Sequence, residues 1–216
     1  MPDTALRRWT GIAGVLTFFL LIAIVPLYFI YSGPPPRVNV LARSIVGMVS
    51  LVPFLAFMVG LQAMIRRARP DDEVPPTLLL SVGIVWITVT FVATAHEAGR
   101  VLGRTDLFDP TLVGSGAEGS LVIYGPVGRI LTSTFLALVG TSVLRTGILP
   151  AWAGRAALAL SAVQLAFVAT FFAGTLPEHF FSVNGWHLPV LGSLLSLWIL
   201  AASVALLRPS PANRGR

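Results

Sequence analysis

The side chains with the types for chemistry are few, and most of them fall near two points of the chain. His96 and Glu97 are adjacent, and Glu178, His179 and His187 follow some eighty residues on. Three imidazoles and two carboxylates match the nitrogen and oxygen donors of a tetrahedral zinc site. A zinc ion held there would activate a water for hydrolysis. The spacing departs from the known zinc helix, because His96-Glu97-Ala98-Gly99-Arg100 puts arginine where His-Glu-x-x-His needs its second histidine. Neighbouring helical residues also point about 100° apart, so His96 and Glu97 share one ion poorly. Pro177-Glu178 and Phe180-Phe181 read equally as an interfacial loop whose rings rest among lipid headgroups. Two readings therefore stay open for His96, His179, His187 and Glu178: a metal shell or an interfacial cluster. No cofactor is predicted; zinc is the ion this set would suit.

A second set lies within apolar surroundings. Arg129, in Gly125-Pro126-Val127-Gly128-Arg129, falls about one helical turn inside the span that ends at Arg145. It reads either as a fixed charge lining an outward-facing pocket, paired with Glu97 or Glu178, or as an arginine snorkelling to the headgroups. The glycines and proline before it are expected to break the helix, as happens where helices line cavities. Gln164 falls near the middle of the next span. Its expected role is a hydrogen bond to a neighbouring helix, with a ligand contact as the alternative. Arg129, Glu97 and Gln164 are the pocket candidates.

The elements that must position these groups are six long apolar stretches, at about 9–31, 40–65, 77–95, 124–144, 152–175 and 188–207. Hydrophobic residues make up 55% of the chain and charged ones 11%. Soluble domains carry roughly 25% charged residues, so an aqueous fold is excluded. Nothing alternates with the two-residue period of a membrane barrel. The fold class is an all-α, six-transmembrane-helix integral membrane bundle, in one domain over 1–208. Residues 209–216 are expected to form a disordered cytoplasmic tail. Pro26 and Pro53 fall inside spans and are expected to kink them. The serines and threonines of the third and sixth spans are expected to allow close packing or to bond their own backbone.

The net charge of +6 comes with no lysine, so every basic residue is arginine. That removes Schiff-base chemistry on lysine, and the lack of cysteine removes thiolate metal sites and disulfides. The arginines stand at span ends rather than on one polar face, which excludes a nucleic-acid partner and points to topology. With alternating helices, ten arginines (7, 8, 66, 67, 69, 145, 155, 208, 214 and 216) share the side of the termini. Four (37, 43, 100 and 104) take the other. The asymmetry places both termini in the cytoplasm, with membrane lipids, and other membrane subunits, as the expected partners. An intramembrane serine protease is not indicated: Gly114-Ser115-Gly116 lies in the long 96–120 connection, and no histidine falls well inside a span.

The stretch Thr141-Ser142-Val143-Leu144-Arg145-Thr146-Gly147-Ile148-Leu149-Pro150-Ala151-Trp152-Ala153-Gly154 resembles the fourth-to-fifth helix junction of the DUF4386-like six-helix membrane proteins of bacteria. The ending Leu197-Trp198-Ile199-Leu200-Ala201-Ala202-Ser203-Val204-Ala205-Leu206-Leu207-Arg208 is similar to theirs as well. Where that group commonly has a basic residue after the Leu-Pro turn, this chain has Ala151. The resemblance implies six helices, a cytoplasmic C-terminus and no particular activity. In the turn itself, Gly147 suits a left-handed cap and Pro150 the restart of the next helix. The expected function is that of a non-enzymatic protein of the bacterial inner membrane, an accessory subunit or a small-molecule- or lipid-binding bundle. The alternatives are a metal-assisted hydrolase with its site on the outer face and a small oligomeric transporter.

Overall fold

The computed structural model describes residues 3–31, 33–104, 106, 109–111, 116–174, 179–183 and 185–208. The tail 209–216, the loop residues Gly114 and Ser115, and Glu178 lie outside the described residues. Among the described residues, six helical spans are long and apolar enough to cross a membrane. They are α1 (Asp3–Phe29), α2 (Arg37–Ala68), α3 (Val74–Leu102), the interrupted span Glu118–Thr146, the span Ala151–Phe172, and α7 (His187–Leu207). The fourth is built from α4 (Glu118–Val122), a π-helical turn at Ile123–Val127 and α5 (Gly128–Thr146). The fifth is α6 (Ala151–Ala166), tightening into a 3₁₀ turn at Phe167–Phe172.

The helices outrun the apolar stretches that announce them. The 32 residues of α2 reach about 48 Å, against about 30 Å of hydrocarbon. α3 carries on beyond Ala95, through His96 and Glu97, to Leu102. Both α1 and α2 run through Pro26 and Pro53 as continuous helices. Ser81, Thr88, Thr90, Thr94, Ser196 and Ser203 each donate to the carbonyl four residues earlier, which keeps these hydroxyls satisfied in an apolar setting. At the α5–α6 junction Gly147 takes φ 66°, and its N–H closes the helix on Val143 O at 2.9 Å. Pro150 stands immediately before α6.

The helices form a ring in the order α1, α2, α3, α5, α6, α7. α7 packs broadly on α1 and only narrowly on α6, its neighbour in sequence. The α5–α6 pair is an antiparallel hairpin held by small residues. Ser133 Oγ donates to Ser161 O at 2.9 Å, and Ser161 Oγ donates to Ser133 O at 2.7 Å. Two turns further on, a Cβ on Gly140 would come within 2.8 Å of Gly154 O, so only glycine permits this approach.

One end of the bundle is filled. Phe57, Met58, Leu61, Phe135, Leu136, Val139 and Ile199 are fully buried there, and Trp198 Nε1 donates to Ala153 O at 3.0 Å. This is the end that carries the chain termini: a Cβ on Gly11 would reach Leu207, and Arg7 Nη1 donates to Ile148 O at 2.9 Å. Arg67 pairs with Asp3 at 2.7 Å and Arg66 with Glu73 at 3.2 Å at this end, both solvent-accessible. The opposite end of the ring is hollow.

Candidate functional site

The hollow end holds an open cavity of about 600 Å³. Its walls come from the second half of α1, the first half of α2, the second half of α3, the α4–α5 break, Gln164 of α6 and the first half of α7. Most of the lining is apolar: Leu21, Val25, Phe54, Trp86, Leu188 and Leu195 are examples. A few polar and charged groups interrupt it, the composition expected of a ligand cavity of this size.

Arg43 and Glu97 form the first polar group. Arg43 lies in the second turn of α2 and Glu97 near the end of α3. Glu97 Oε1 accepts from Arg43 Nη2 at 2.7 Å and from Nε at 3.1 Å. Both side chains are at most 5% exposed. The Tyr28 ring of α1 lies over the guanidinium, 4.2 Å from Cζ to centroid, so three helices meet at one charge pair. Removing two charges from water is costly, and the two hydrogen bonds accepted by one carboxylate oxygen offset part of that cost.

Next to it stands a hydroxyl relay. Thr94 Oγ1 donates to Thr90 O at 2.8 Å, so its single proton is committed. Tyr124 OH, 2.9 Å away, must then donate to Thr94 Oγ1. Tyr124 reaches this point because the chain is not helical at Gly125, where ψ is −113°. Pro126, following directly, offers no backbone N–H to restore the ladder.

Arg129 follows that break, in the first turn of α5, and is 4% exposed. Its Nη1 donates to Gln164 Oε1 at 2.7 Å, its Cζ lies 5.9 Å from the Phe167 ring centroid, and its Nε is buried with no hydrogen-bond partner among the described residues. Ser44 Oγ, on α2, is a second buried atom of the cavity wall without a partner among the described residues.

Arg129, Glu97 and Gln164, the three pocket candidates read in the sequence, thus line one cavity. Their pairing needs correction. Glu97 belongs to Arg43 rather than to Arg129, because Arg43 comes to Glu97 on the packed face between α2 and α3. Arg129 turns to the neutral Gln164 of α6 instead. Nor does Arg129 snorkel out, being enclosed by helices. Arg43 is not among the pocket candidates of the sequence, where it counts with Arg37, Arg100 and Arg104 as one of the four arginines of the outer side. The signal was present: Arg43 follows the start of an apolar stretch and Glu97 closes another, and charges in such places need partners.

The histidines do not gather. His187, fully buried, stacks on Phe167 at 5.3 Å, with Nε2 3.3 Å from Thr170 Oγ1. His96 is exposed and pairs through Nδ1 with Ser120 Oγ at 2.9 Å. His179 is exposed, in the loop after the 3₁₀ turn. Among the described residues no group of three or more His, Asp or Glu side chains could hold a metal ion. Glu178, the fourth of the proposed zinc donors, lies outside the described residues.

No family model, no curated protein and no solved structure matches the chain.

Proposed function

We propose that this protein is a non-catalytic membrane bundle that binds an amphipathic small molecule or lipid in its hollow end. The observation that carries the reading is the cavity of about 600 Å³, apolar over most of its wall and furnished with Arg43, Glu97, Arg129 and Gln164. Buried charges are expensive in a membrane protein and are kept where they meet a ligand, an ion or each other. The arginine asymmetry, ten against four, supports an orientation with both termini in the cytoplasm of a bacterial inner membrane. The cavity then faces the outer leaflet. Kinship with the DUF4386-like proteins, drawn from residues 141–208, belongs to the same proposal and lends it no site residue.

Two other readings rank behind it. A zinc hydrolase would need the imidazoles to converge, and His96 and His187 have separate partners. A transporter would need a polar path through the other end, where Phe57, Leu61, Phe135 and Ile199 fill the space.

The test is extraction of the protein with its lipids in a mild detergent, followed by mass spectrometry of what it retains. A retained amphiphile is expected, close to one per chain, and its amount should fall sharply in Gly192→Phe. A Cβ at Gly192 meets nothing within 4 Å and the residue lines the cavity, so the larger ring fills ligand space rather than protein. A chain that retains nothing and binds no added amphiphile would end the reading. Sidedness is checked separately, by whether a C-terminal tag is reached by protease from inside or outside the cell.

A further inference from the structure

The charges of the cavity wall do not balance. Arg43 and Arg129 contribute two positive charges, and Glu97 contributes the only carboxylate among the described lining residues. That carboxylate is engaged by Arg43 through two hydrogen bonds. Arg129 is left with the neutral amide oxygen of Gln164 on one nitrogen and with a bare, buried Nε. A guanidinium always carries its charge and presents its N–H groups in a planar fork that suits an oxyanion. An isolated cation in such surroundings is unfavourable until a counter-charge arrives.

We infer that the ligand is an anionic amphiphile, with a carboxylate or phosphate head on Arg129 and a hydrocarbon tail along the apolar wall of α1 and α7. This rests on the binding reading above and adds the chemical class of the ligand. Two observations bear on the head and one on the tail. Arg129 Nε and Ser44 Oγ are both buried donors without a partner among the described residues, and both residues line the cavity. Gln164 fixes the guanidinium through Nη1 while leaving the Nε edge unused. Leu21 and Val25 of α1 and Leu188 of α7 line the same space and offer no polar competitor to a tail.

The experiment uses the full chain in phosphatidylcholine nanodiscs and compares four probes: palmitate, hexadecyl phosphate, hexadecanol and inorganic phosphate. Palmitate and hexadecyl phosphate should each bind about tenfold to a hundredfold more tightly than hexadecanol, the range of one charge-assisted contact. Arg129→Gln should remove that preference by weakening palmitate and hexadecyl phosphate far more than hexadecanol, while Arg129→Lys should keep part of it. Gly192→Phe should weaken all three long-chain probes together. Should Arg129→Gln fail to fold, Arg129→Lys and Ser44→Ala carry the comparison, each expected to reduce the preference for the charged probes. Equal binding of palmitate and hexadecanol by the native protein would overturn the anionic head while leaving an amphiphile-binding cavity in place. Inorganic phosphate binding that depends on Arg129 and resists competition by palmitate would mark a free-anion site and overturn the amphiphile. Failure of every long-chain probe would overturn the binding reading itself.

Discussion

Gly14 of α1 and Gly192 of α7 belong to adjoining helices, yet their surroundings are opposite. A Cβ on Gly14 would overlap Ser203 Oγ and stand 2.8 Å from the Phe57 ring, whereas one on Gly192 would meet nothing within 4 Å. Other helix glycines share the contrast. At the filled end Gly11, Gly60, Gly83, Gly140 and Gly154 each sit against a neighbour closer than a Cβ tolerates. At the hollow end Gly47 has its nearest neighbour 3.7 Å from such a Cβ. Glycine therefore gives close helix contact at the filled end, while Gly47 and Gly192 leave open volume at the hollow end, where Gly128 and Gly185 still lie against the Ile123 and His179 carbonyls. Helices in lipid gain little from hiding apolar surface, so close contact is a main source of cohesion. The hollow end gives up that contact and holds a buried charge pair instead.

The contrast can be broken most forcefully at that pair. Glu97→Leu strands Arg43 among apolar walls and should lower unfolding stability in detergent by about 3–5 kcal/mol. Arg43→Leu combined with Glu97→Leu should recover most of it, since replacing both charges removes the stranded one. If the single and double replacements cost the same, the loss does not come from a stranded charge. Next comes the glycine contrast itself. Gly14→Leu should cost about 1–3 kcal/mol by overpacking, while Gly192→Leu should leave the thermal midpoint nearly unchanged. Equal losses at both positions would mean that the two ends do not differ in packing. A smaller effect is expected in the hairpin: Ser133→Ala removes one of two reciprocal bonds to α6 and should cost about 0.6 kcal/mol, the average for such contacts in membranes. The least is expected outside the membrane. Asp106 is held below the usual carboxylate range by its hydrogen bond from Arg104, but the pair is exposed. Asp106→Asn should not move the midpoint measurably, because solvent screens such pairs.

The filled end was the more legible of the two in the sequence. Apolar runs of span length gave the six helices, and Gly147 with Pro150 marked the one tight junction in advance. Gly125-Pro126 also announced the break that the backbone makes there. What could not be read was which face of each helix meets which neighbour. The spans are apolar all round, so periodicity carries little of the directional signal it has in water. Arg43 shows the result: it is separated from Glu97 by 54 residues, and only the arrangement of α2 beside α3 brings them to 2.7 Å. The histidines failed in the opposite sense. They shared a side of the bundle in the sequence reading, but a shared side is a broad area, and Phe167 and Ser120 supply His187 and His96 with separate partners.

The broad packing of α7 on α1 carries a consequence for the order of assembly. During synthesis α1 meets its second large partner, α7, only after the spans between them have emerged. Until then Gly11 lacks its contact with Leu207, and Gly14 has Phe57 of α2 beside it but not Ser203 of α7. Circle closure is thus a late event joining the most distant helices of the chain, the kind of long-range contact that slows folding. A nascent protein arrested before residue 187 would hold the α5–α6 hairpin and the α1–α2 pair, yet lack the wall that makes its interior a container.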